Sequence, residues 1–333
     1  MGYAHGMALP RPALFDVAGA LALAAVLGAL PFAGAIAQSV GMTGLPYTVV
    51  GSGQRFARLQ EAVNAIGSGV GTIRIAPGRW QDCAVQADGV VSFVAAAPGK
   101  AMLEGVLCEG KAGLVLRGRG ARVEGLVFGG FHSTDGNGAG IRLERGNLAV
   151  SQAWFRDSDE GILGDNDGRA AVVIDKSTFS HLGRCGGGTA CAHSVYIGHY
   201  GSVTVTRSRF EAGDGGHYLK VRSGRVAITG NAFDDSAGHD TNYMIDLPAG
   251  ASGRIADNRF VQGQDKDNSR VFIGVGAESR DHSSAGLVVA NNVARFAPGV
   301  WRVSAFVADW TGEDMAIGEN ALDGGILRYM RRF

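Results

Sequence analysis

Three side chains able to move or hold protons recur at nearly constant spacing: Tyr196, Lys220 and Asp246 stand 24 and then 26 residues apart. Each follows an apolar residue in a short strand-like run, H-S-V-Y-I-G, G-H-Y-L-K-V-R and N-Y-M-I-D-L-P, and His193 and His217 occupy equivalent places near the start of the first two. If consecutive runs pair as neighbouring strands, the three residues stack about 4.8 Å apart in one outward column. Arg222 lies on the same face as Lys220, about 6.6 Å further along the strand. Its fixed charge disfavours a second cation, whereas Asp246 favours the ammonium form of Lys220. These types suit proton abstraction next to a carboxylate, followed by departure of an oxygen leaving group. Arg222 or Arg142 would neutralise the carboxylate, Lys220 would take the proton, and Tyr196 or His217 would assist the leaving oxygen. The expected reaction is β-elimination on a uronate-containing polysaccharide.

Two other readings compete. A glycoside hydrolase needs two carboxylates about 5–9.5 Å apart; Asp246 has no acid beside it in its column, so Asp214 or Asp240 in loops would have to complete the pair, while Glu144 and Asp165 lie several repeats away. A glycan-binding or surface-structural protein would use Tyr200, Tyr218 and Tyr243 as sugar platforms and the Lys220–Asp246 pair as an ordinary cross-strand ion pair. Substrate contacts are expected from Arg142, His193, Tyr218, Tyr243 and Asn137, the last within the turn D-G-N-G-A-G-I-R together with Asp135.

Positioning such a column demands a repeating strand. One strand aligns six times, as G-I-R-L-E, G-I-L-G-D, V-Y-I-G, L-K-V-R, I-D-L-P and F-I-G-V. Alternation sends Ile141, Ile162, Val195, Leu219, Ile245 and Phe272 inward. It sends Arg142, Leu163, Tyr196, Lys220, Asp246 and Ile273 outward, with Glu144, Asp165, Gly198, Arg222, Pro248 and Val275 two residues beyond. Phe128, Phe155, Phe179, Phe210, Phe233 and Phe260 mark a second repeating strand. Ser177, Ser208, Asn231 and Asn258, each two residues before a phenylalanine, predict a polar ladder that Asn292 and Asn320 continue. Loops are expected at 164–169, 183–192, 235–241, 262–268 and 278–285. Helical periodicity is confined to Arg58–Ile66, where Leu59, Ala62, Val63 and Ile66 share a face.

That short amphipathic helix, followed by T-I-R-I-A-P-G-R-W, resembles the entry of pectinesterase-like and other pectin-lyase-type β-helix proteins, in which such a helix covers the open end of the coil. Over about residues 45–330 the chain resembles the right-handed parallel β-helix, or pectin-lyase-like, superfamily. The resemblance implies an all-β single-domain solenoid with a short N-terminal amphipathic capping helix. The column is similar in kind to those of β-helix polysaccharide lyases that place lysine, arginine or tyrosine around a surface groove. The Asp-Pro-His signature of alginate epimerases is absent and the paired aspartates of pectinesterases are not recognisable, so no residue is carried over from either.

Composition fits a solenoid. Glycine numbers 53 of 333 residues while proline numbers 8, formal charge is zero, and only 19% of residues are charged. No basic run points to nucleic acid. Ala18–Leu30 is an apolar run followed by the small-residue stretch Ala35-Ile36-Ala37, so residues 1–37 are expected to be a signal peptide and 38–333 the β-helix domain. The mature protein is then expected to be a secreted or periplasmic monomer without a permanent membrane anchor, acting on an anionic polysaccharide. In an oxidising compartment the local pairings Cys83–Cys108 and Cys185–Cys191 are favoured. No cofactor is required and no metal is assigned to the cysteines. The acidic turns at 165–167 and 265–268 read as solvated turns lacking the spacing of a calcium motif, which leaves calcium open. Trp301 and Trp310 are expected to pack the C-terminal end.

Overall fold

A computed structural model describes residues 44–185 and 191–332; the expected signal peptide lies outside the described residues. Residues 44 onward form one unit. Its strands make three sheets, one of 12 strands and two of 10, in which neighbours follow one another from coil to coil. The coil-to-coil pairings are parallel, as in Val195–Ile197 on Leu219–Val221 and Phe233 on Phe260. Antiparallel pairing enters at the beginning, where Tyr47–Val50 meets Arg55–Phe56 and Val70–Ile75. The described residues therefore form an all-β parallel β-solenoid with one helix among them, and crossovers between parallel strands of one sheet take the right hand almost without exception.

The helix, Leu59–Ile66, buries Leu59, Ala62 and Val63. Its first N–H groups are otherwise unpartnered, and Leu59 donates to Asp82 Oδ2 at 2.8 Å. Gly67 ends it at φ 57°, a backbone angle that favours glycine.

Inside the coil, aromatic rings and amides stack with the strand repeat. Phe128, Phe155, Phe179, Phe210, Phe233 and Phe260 lie ring on ring at 4.8–5.0 Å between centroids. At the neighbouring corner the polar ladder is continuous. Asn258 Oδ1 accepts the N–H of Asn231 at 2.9 Å, and Asn292 Oδ1 accepts that of Asn258 at 3.0 Å. Ser177, Ser208 and Asn320 extend the same pattern. The residue before each of the first five rungs turns the chain with positive φ: Lys176, Arg207, Gly230, Asp257 and Asn291. Only one of these is glycine, so the ladder's hydrogen bonds hold ordinary residues in a left-handed corner.

Two expectations are corrected. Ile245 pairs with Ile273 and Leu247 with Val275, so Ile273 and Val275 face the core and Gly274 takes the outward place beside Asp246. V-F-I-G-V is apolar at every position but one, and alternation cannot choose its register. Trp301 is 94% exposed, packing nothing, while Trp310 packs near Tyr243 and under Arg332. The disulfides Cys83–Cys108 and Cys185–Cys191 are both formed. Among the described residues no helix is long and apolar enough to cross a membrane.

Candidate functional site

The outward column of one 10-stranded sheet runs Arg142, Leu163, Tyr196, Lys220, Asp246 in direct register. Over it lies a cavity of about 590 Å³ lined by Arg142, Leu163, Tyr196, Lys220 and Arg222, with Asn137 and Asp135 at one end and Glu278 at the other. The expected neighbours thus share one face. Asp246 is only 2% exposed and lies behind Lys220 rather than in the wall.

Glu278, from an insertion between coils, organises the charges. Its Oε1 accepts from Lys220 Nζ at 2.6 Å, and its Oε2 binds the Arg222 guanidinium. Burial alone would raise this carboxyl, but the hydrogen bonds from Lys220 and Arg222 hold it below its ordinary value. Arg222 Nε in turn donates to the Tyr196 phenol oxygen at 2.8 Å, and Lys220 Nζ lies 5.8 Å from the centre of the Tyr196 ring. Asp246 Oδ2 is 3.5 Å from Lys220 Nζ, while its Oδ1 is buried with no hydrogen-bond partner among the described residues. Burial pushes this carboxyl up to about 7 against the opposing pull of Lys220.

The histidines form a ladder of their own. His193 accepts the N–H of His217 on Nδ1 at 3.0 Å, and His217 accepts the N–H of Tyr243 on Nδ1 at 3.1 Å. An Nδ1 that accepts carries a lone pair, so the ring proton of each neutral histidine sits on Nε2. Burial, reinforced by Lys220, pushes His193 down to about 3, and His217 is driven well below its ordinary value by burial and by His193. Both are neutral, fixed tautomers. His217 was expected to assist the leaving group, but it is 9% exposed, does not line the cavity, and directs Nε2 at Asp246 Oδ2, 3.4 Å away. His193 lines the cavity.

Of the remaining expected contacts, Arg142 and Asn137 line the cavity, with Arg142 Nη2 donating to Asp165 Oδ1 at 2.6 Å. Tyr218 does not: it is 1% exposed, and its hydroxyl donates to Asp235 Oδ1 at 2.7 Å inside the core. Tyr200 is likewise buried. Tyr243 is half-buried against His217 and Trp310, away from the cavity. The buried rings of Tyr200 and Tyr218 present no face to a sugar, whereas Tyr243 keeps a partly exposed ring outside the cavity. Glu144 is held by Lys111 and Arg117, and Asp214 lies 3.9 Å from His181. The 265–268 turn closes around Lys266, whose fully buried ammonium meets buried Asp235 at 3.0 Å. Among the described residues no three His, Cys, Asp or Glu side chains converge as metal ligands.

Sequence reasoning missed Glu278 and Glu160. The first sits in a loop that no repeat can register; its proximity to a basic column is visible only in space. Glu160 shares the parity of inward Ile162, which hid it from an alternation argument. Compared with known proteins, the chain matches no protein-family model and no curated protein. Among solved structures it is similar to the PL6 family alginate lyase AlyGC, with 14% identity and a TM-score of 0.45, covering 77% of this chain and 40% of that one.

Proposed function

We propose that this protein acts on an acidic, uronate-containing polysaccharide as a lyase, breaking the glycosidic C–O bond by β-elimination. The observation that carries this reading is the seat of Glu278: a carboxylate lying across Lys220 and Arg222, with the Tyr196 hydroxyl next to Arg222. A sugar carboxylate taking that seat would present its α-proton beside the phenol. Lys220 already carries contacts to two carboxylates, so its part shifts from base to charge neutraliser together with Arg222. Tyr196 then becomes the group that moves the proton, its oxygen steadied by the Arg222 N–H. Arg142 and Asn137 extend the groove along the glycan.

The two disulfides support an oxidising compartment, so export after cleavage near Ala37 belongs to the same proposal. The Leu59–Ile66 helix is read as the cover of the first coil, whose core and strand edges would otherwise meet water.

Purified protein mixed with a panel of acidic polysaccharides should generate the ultraviolet absorbance of an unsaturated uronate. Lys220→Ala should lower the rate by about 100-fold or more. Binding across the panel with no absorbance and no new reducing ends would reduce the protein to a glycan-binding module. Hydrolysis is favoured by one observation, that Asp246 and Glu278 flank the same ammonium with one carboxyl raised and the other lowered. New reducing ends without the absorbance would establish it instead.

A further inference from the structure

Glu160 opens the strand Glu160–Gly164 and borders the cavity while being only 1% exposed. Its Oε1 accepts the His193 N–H at 3.3 Å. Its Oε2 is buried with no hydrogen-bond partner among the described residues. An ionised oxygen left in that state is strongly disfavoured, and a proton on it removes the charge and creates a donor. Across the coil boundary His193 also borders the cavity, its Nδ1 occupied by the His217 N–H and its remaining ring proton therefore on Nε2. Lys220 and Arg222 are already bound by Glu278, whereas Glu160 Oε2 accepts and donates to nothing among the described residues.

We propose that Glu160, as a neutral carboxylic acid, and the Nε2–H of His193 form a two-donor subsite in the cavity floor that holds the carboxylate of an acidic sugar. This subsite rests on the acidic-glycan reading above and adds a second carboxylate position, one that binds without bringing a net positive charge. Burial holds the Glu160 carboxyl well above its ordinary value; the His193 N–H and Arg142 pull it down, and Asp159 and Asp135 push it up. Arg142 borders the subsite with its Nε buried and without a hydrogen-bond partner among the described residues, while its Nη2 is held by Asp165 Oδ1. A protonated carboxyl beside a neutral imidazole is a donor pair of the kind that stabilises an oxyanion in a dry site.

The test is calorimetric titration of the full chain with an oligouronate and with its carboxyl-reduced, neutral counterpart, from neutral to alkaline pH. Glutamine keeps both the acceptor for the His193 N–H and a donor in place of the acid proton. Glu160→Gln should therefore bind the oligouronate within about threefold of the unaltered protein, whereas Glu160→Leu should lose about tenfold or more. The unaltered protein should weaken on the alkaline side, where Glu160 ionises, and Glu160→Gln should not. If Glu160→Gln loses as much as Glu160→Leu, the group is an ionised acceptor and the proposal is overturned. A Glu160→Leu variant that binds like the unaltered protein overturns it equally. If Glu160→Leu melts early, the presence or absence of the alkaline weakening in the unaltered protein and its loss in Glu160→Gln decide. Equal binding of the neutral oligomer by the unaltered protein would sink the acidic-glycan reading itself, a result separate from any effect of Glu160.

Discussion

Two ladders climb this solenoid by the same device, and they end differently. In each, a side chain accepts the backbone N–H of a residue one coil away. In the asparagine ladder the account closes: Asn258 takes the N–H of Asn231, and its own amide reaches Ile228 O at 2.9 Å and Asn292 Oδ1 at 3.0 Å. In the ladder of Glu160, His193 and His217 it stays open. Each rung accepts one N–H, yet Glu160 Oε2 has no partner among the described residues, His193 borders the cavity, and His217 directs Nε2 at Asp246. A satisfied ladder stabilises a corner and recruits nothing. A ladder with spare valence beside a cavity is where a ligand gains most from binding.

The largest expected effect breaks the closed ladder. Asn258→Leu strips partners from Asn231, Asn292 and Ile228 at once, and should cost about 3–5 kcal/mol in denaturant unfolding. A loss under about 1 kcal/mol would mean the rungs are ornamental.

Next comes the open side. The folded Asp246 carboxyl is raised to about 7 from an ordinary value of 3.8, so the native state keeps a proton that the unfolded chain has already released. Stability from this group is greatest below the unfolded value and is lost as pH rises through about 7, by on the order of 4 kcal/mol. Glu160 adds to the same slope. Asp246→Asn should flatten the fall in melting temperature over that window; an unchanged slope would show that the carboxyl is not strained by burial.

The smallest effect sharpens the contrast between filled and spare valence. Glu278→Gln removes the carboxylate seated across Lys220 and Arg222, and should raise affinity for an acidic oligosaccharide about fivefold at low salt, with the gain shrinking as salt is added. Because the Glu278 side chain is 44% exposed, stability should change by less than about 1 kcal/mol. Weaker binding would instead make Glu278 a contact to the glycan.

The column Tyr196–Lys220–Asp246 was legible because repeat spacing converts sequence distance into strand register, and the apolar residue before each member pins the face. The phenylalanine stack and the asparagine rungs were legible for the same reason. Legibility stopped where that rule stops. At V-F-I-G-V the uniform apolarity allowed a one-residue slip. At Glu160, Gly161 turns inward, where an added Cβ would come within 2.9 Å of the Phe179 ring, and this bend frees the preceding residue to face the cavity against its parity. Tyr218 looked like a surface ring until a buried Asp235 claimed its hydroxyl.

What the amino-acid sequence determined by itself is periodic: the coil, its stacked core, its polar corner and the face that carries the basic column. These follow from local alternation repeated many times, so each repeat corroborates the last. Only the tertiary structure decided which valences on that face are already spent. Glu278 reaches Lys220 from 58 residues away, and each histidine's tautomer is set by an N–H from the next coil. Burial and long-range pairing choose protonation state, and neither leaves a mark in the spacing of the residues.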